Sequence, residues 1–155
     1  MAAATVMAFS QIQAGRQAQR VANYNAQLYE MDAVNAENEA IVVQQKAQLE
    51  KTRLKDQFEG VQGDVRVGFA GGGVDLGSGT VLEILEQNQE QFEIDQNLIQ
   101  YNANIEKANL QNQAGRSRFQ GAASIQRGKY AKYGSRLGAA STLLGAASNA
   151  GMIGN

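Results

Sequence analysis

Cysteine, histidine, proline and tryptophan are all missing from this 155-residue chain, and aromatic residues supply only 6% of it. Without cysteine there is no disulfide framework and no thiolate nucleophile. Without histidine the usual zinc, haem and proton-relay ligand is gone too. A chain with no cysteine suits reducing and oxidising surroundings alike, so the compartment stays open. Missing proline removes the strongest helix breaker. Long apolar runs are lacking as well. The first ten residues, Met1 to Ser10, carry no basic segment and no long apolar core, so no cleaved secretory signal is expected.

Alanine and side-chain amides fill the space, with 24 Ala and 31 Asn plus Gln. Alanine has the best helix propensity, so the composition predicts an all-α chain. Small side chains bury little apolar area, and a lone hairpin built from them hardly offsets its conformational entropy. Burial against sister chains is the expected remedy.

One strong break divides the chain, the stretch Phe69-Ala-Gly-Gly-Gly-Val-Asp-Leu-Gly-Ser-Gly-Thr80. Gly71, Gly72 and Gly73 supply a backbone free to adopt positive φ. Asp75 and Ser78, beside Val74 and Leu76, can bond nearby backbone groups and support a tight turn. Thr80 followed by Glu83 reads as a capping box that opens a second helix. The expected fold is a long antiparallel helical hairpin forming a single elongated domain. Its parts are helix 1 at about 10–67, the turn at 68–80, helix 2 at about 81–133 and a Gly/Ala-rich helical tail at 134–155.

A heptad pattern runs through the second arm at Ile94, Leu98, Tyr101, Ile105, Ala108, Asn112, Gly115 and Phe119. In the first arm the same spacing joins Val21, Tyr24, Leu28, Met31, Asn35, Asn38, Val42, Gln45 and Leu49. These positions are expected to form the seam of the hairpin or of an oligomer. The amides among them weaken a coiled coil but fix its register and partner number.

Net charge is −1, yet the charges are segregated. Residues 83–95 carry Glu83, Glu86, Glu90, Glu93 and Asp95 with no base. Arg116, Arg118, Arg127, Lys129, Lys132 and Arg136 follow with no acid among them. An antiparallel hairpin sets the acidic run against Lys51, Arg53, Lys55 and Arg66, and the basic run near Arg16 and Arg20. The basic residues are candidate contacts to phosphate, lipid or a partner protein.

From Leu137 to Gly154 the chain is uncharged and weakly hydrophobic. Leu137, Leu143, Leu144, Met152 and Ile153 make it a candidate membrane-active tail when copies gather, though a poor lone span. Gly134, Gly138 and Thr142, at four-residue spacing, are candidates for close helix approach.

Enzymatic signatures fail one by one. Gly72-x4-Gly77 has nearly the spacing of a phosphate-binding loop, but Ser78 stands where the lysine is needed. A calcium-loop register from Asp75 to Glu86 lacks oxygen ligands at Gly77 and Gly79. No histidine base exists to activate a serine. The sequence predicts no enzyme, no cofactor and no metal.

The Tyr24-Asn25-Ala26 helix, the Gly73-Val-Asp-Leu-Gly-Ser-Gly-Thr80 turn, Val81-Leu-Glu-Ile-Leu85, the second Tyr101-Asn-Ala103 and the Gly-Ala-Ala-Ser-Thr-Leu-Leu-Gly-Ala-Ala-Ser tail are distinctive together. In combination they resemble the small internal virion (ejection) proteins of tailed phages, especially short-tailed podoviruses, over about residues 20–150. Gly77 departs from the serine such a turn would carry. The resemblance implies storage in several copies inside the capsid near the portal, and ejection into the host envelope before the genome. There it implies a ring of copies, with larger internal virion proteins, forming a channel at the host outer membrane. Non-specific DNA contact by the basic run is compatible with that role. A coiled-coil adaptor or scaffold without membrane activity is the alternative that the residues alone leave open.

Overall fold

The structure, a computed structural model, describes residues 2–73, 75, 77 and 79–152, with the side chains at 2 and 150–152 excepted. It is all-α: α1 spans Ala2–Gly71 and α2 spans Gly79–Met152, packed against each other as a hairpin. Helix α1 outruns its expected range at both ends, and α2 starts slightly ahead of its own. The Gly/Ala-rich tail is continuous with α2 up to Met152. A mid-helix glycine costs only about 1 kcal/mol relative to alanine, so Gly134 and Gly145 do not end the helix.

Glycine does the work where the helices stop. At the end of α1, Gly72 N–H donates to the Phe69 carbonyl at 3.1 Å and Gly73 N–H to the Ala70 carbonyl at 3.0 Å. These bonds satisfy carbonyls that the helix end would otherwise orphan. Gly73 and Gly79 hold positive φ of 72° and 62°, a region that side chains disfavour. The Asp75 carboxylate accepts from Gly77 N–H at 3.0 Å, the Asx-type bond expected of that residue. Thr80 already lies within α2, so it is not the residue that precedes the helix. Entry through Gly79 brings the chain into helical path two residues ahead of the expected start at 81. Val74, Leu76 and Ser78 of the turn lie outside the described residues.

The chain divides into two compact units. The terminal unit contains residues 1–36 and 113–155, and the central unit residues 37–112. In the terminal unit, α1 and α2 meet through small residues. Ala8, Gly15, Ala22, Ala33 and Ala36 are buried on α1, and Ala114, Gly121, Gly128 and Ala139 on α2. A Cβ placed on Gly15 would run into the Ser135 side chain, and one on Gly128 would strike Ala22. The backbones therefore approach as closely as the missing side chains allow. Ser124 Oγ donates to the Ala22 carbonyl at 3.3 Å, and Arg118 Nε to Glu30 Oε1 at 3.2 Å.

In the central unit the buried positions are Ala40, Ala47, Val81 and Ala103. Toward the turn, larger side chains take over. Phe58 and Phe92 stack at 4.3 Å between ring centroids, and Gln62 Nε2 donates to the Leu85 carbonyl at 3.3 Å. Further from the turn, Lys51 Nζ donates to Gln100 Oε1 at 3.5 Å.

The hairpin seam differs from the heptad expected in sequence. Tyr24, Leu28 and Met31 on α1 are exposed, as are Ile94, Leu98, Tyr101, Ile105 and Phe119 on α2. Tyr101 keeps 62% of its surface and Phe119 76%, whereas Ala33 keeps none. The physical reason is spacing. Two helices can close to backbone contact only through Ala and Gly, so the small face turns inward and the large side chains are displaced outward.

Gly134, a close-approach candidate in the sequence, has open space where a Cβ would stand, while a Cβ on Gly138 would meet Gln11. Gly134→Ala therefore adds helix propensity without a clash. Its expected effect is a stabilisation of about 0.5–1 kcal/mol, read as a shifted urea midpoint at unchanged slope.

Candidate functional site

Among the described residues the buried apolar set is nine alanines and Val81. Burying an alanine methyl yields about 0.8 kcal/mol, against roughly 1.5–3 for a Leu, Ile or Phe side chain. The side chains with most to gain from leaving water are thus the ones left in it. Their exposed surface is the candidate functional site, and each unit carries its own part.

On α2 of the central unit, Ile94, Leu98, Tyr101 and Ile105 form a stripe opposite the buried Ala103. Toward the turn the exposed face becomes acidic, with Glu83, Glu86, Glu90 and Glu93 all exposed. Beside them lies an open groove of about 490 Å³, lined by Phe58, Gln62, Leu82 and Leu85 as well as Glu86 and Glu90. Arg66 also lines this groove, whereas Lys55 pairs with Glu59 on its own helix at 3.5 Å.

On α2 of the terminal unit the exposed stripe is Phe119, Tyr130, Tyr133, Leu137 and Leu144, with Leu137 73% exposed. Arg116 and Arg127 lie to one side of it in helical projection, and Arg118, Lys129 and Arg136 to the other. Lys132 is half-buried at the edge of the inner face. The basic residues expected as contacts thus share a surface with aromatic rings. Tyr130 and Tyr133 fall outside the sequence heptad, which ends at Phe119. Continued in steps of three and four with one extra residue, it reaches both.

In the candidate tail, Leu143 is exposed along with Leu137 and Leu144. Met152 closes α2 without a described side chain, and Ile153 lies outside the described residues. No helix among the described residues is long and apolar enough to cross a membrane. No group of three or more His, Cys, Asp or Glu among them is placed to hold a metal ion. The chemistry this arrangement offers is association, through apolar stripes bordered by charge.

Comparison with curated proteins and with solved structures finds no match. A family model does match, the T7 virus internal virion protein gp14 family, over residues 1–155. A helical hairpin whose large apolar side chains face outward, aligned end to end with that family, makes this chain a member of the T7 virus internal virion protein gp14 family.

Proposed function

We propose that this internal virion protein is held in several copies near the portal, together with larger internal proteins. It then leaves the capsid ahead of the genome and helps to form a channel through the host envelope. The observation that carries this reading is the inverted burial, with alanines buried while Leu98, Ile105, Tyr101, Phe119, Tyr130 and Leu137 stay exposed. A protein with that surface is adapted to being covered, and in a virion the available covers are sister copies and neighbouring core proteins.

The thin core supports the second half of the reading. Stability drawn from alanine burial is small, and a weakly held, proline-free hairpin can unfold to pass a narrow tail and fold again outside. Because no helix among the described residues suits a lone membrane crossing, entry into the host outer membrane depends on copies pooling their exposed stripes. Leu137, Leu143 and Leu144 are the tail side chains offered to lipid. The basic face of the terminal unit suits non-specific contact with phosphate, on DNA or on headgroups.

Dye release from vesicles of outer-membrane lipid tests the proposal. The intact chain is expected to release dye, and the Leu137→Ser, Leu143→Ser, Leu144→Ser triple variant to lose most of that release at unchanged helicity. Equal release by both proteins rules out the tail. No release by the intact chain, alone or with its larger partners, turns the reading toward a scaffold confined to the capsid.

A further inference from the structure

The near-zero net charge conceals two oppositely charged units. The terminal unit holds eight Lys or Arg against two acids, and the central unit six against thirteen, so their net charges are +6 and −7. We infer that copies of this chain associate in a staggered, head-to-tail manner, with the basic-aromatic face of the terminal unit in one copy seated on the acidic groove of the central unit in the next. This contact rests on the proposal that copies associate, and it names the surfaces they use.

Three observations favour a second copy as the occupant. The net charges are opposite in sign and nearly equal in size, and complementary fields of this size steer association and fix its register. The partners also match in kind. The groove pairs Phe58 and Leu85 with Glu86 and Glu90, while the opposing face pairs Tyr130 and Tyr133 with Lys129 and Arg136. Finally, both present charge along one exposed side of a helix, Glu83, Glu86, Glu90 and Glu93 on the one and Arg118, Lys129 and Arg136 on the other. DNA or an anionic membrane would account for the basic unit and leave the acidic one unexplained. The contact joins unlike surfaces, so it is heterologous and builds a ring if its rotation closes, or a filament if it does not.

Charge reversal tests the contact in the full-length chain. One variant carries Glu86→Lys, Glu90→Lys and Glu93→Lys, and the other Arg127→Glu, Lys129→Glu and Arg136→Glu. All six residues are exposed, so helicity by circular dichroism is expected to hold. In sedimentation velocity each variant alone is expected to assemble at least about tenfold more weakly than the parent. Their equimolar mixture regains assembly, because reversed faces meet reversed faces. Raising salt from 0.1 to 1 M, which shortens the screening length from about 10 to 3 Å, weakens the parent likewise.

Parent-like assembly by each variant overturns this contact and leaves self-association standing. A parent chain that stays monomeric overturns both. Loss of binding to anionic vesicles or DNA by the second variant, with assembly intact, assigns the basic face to that ligand and also overturns the contact.

Discussion

Leucine in place of Gly128 dismantles the terminal unit. Even a lone Cβ at that position strikes the Ala22 side chain and stands 3.2 Å from Gln19 Cα. The obstacle includes backbone of α1, which cannot rotate aside as the end of a long side chain does. Relief requires the helices to separate, and separation exposes the neighbouring alanines that contribute the unit's burial. Overpacking of a close contact costs typically 1–3 kcal/mol and more when backbone must move, so about 3 kcal/mol or more is expected here. Urea denaturation reads it directly, with Gly134→Ala as the helical glycine that has room. A Gly128→Leu chain as stable as its parent would mean that the small-residue seam does not hold the unit together.

The second large effect falls on assembly rather than folding. Ile94, Leu98 and Ile105 are exposed on α2 and take no part in the alanine core. Replacing the three with serine is expected to leave helicity and the urea midpoint nearly unchanged. It is also expected to weaken self-association on the order of a hundredfold or more, since each buried aliphatic side chain is worth roughly 1.5–3 kcal/mol. Mass photometry across a dilution series separates the two outcomes. If the variant unfolds, these residues belong to the fold. If it assembles like its parent, the central stripe is not what covers neighbouring copies.

Much of the hairpin is legible in the residues themselves. Missing proline and abundant alanine point to long helices, and the glycines from Gly71 to Gly79 locate the reversal. The Asx bond of Asp75 follows from ordinary turn chemistry. What the residues conceal is which periodic face lies inside. α1 carries two stripes at helical spacing, one through Ala22, Ala33 and Ala40 and another through Tyr24, Leu28 and Met31. Hydrophobicity favours the second as core, while the distance between two close-packed backbones favours the first. The structure follows distance.

The continuity of α2 with its helical tail was concealed for a related reason. Gly134 and Gly145 look like breakers when taken singly, yet their cost is small against the hydrogen bonds that a continuous helix keeps. The candidate site was legible in part. The heptad and, Lys132 apart, the basic run are on the exposed surface, but the interleaving of Tyr130 and Tyr133 with the cations emerges only in helical projection.

The central claim is that this surface is built to be covered by other copies of the chain, and native mass spectrometry of the intact protein at micromolar concentration tests it most directly. The account predicts discrete complexes of several copies that fall apart on dilution or in the serine variant. A single monomeric species that melts cooperatively, with its large apolar side chains still in water, would contradict it.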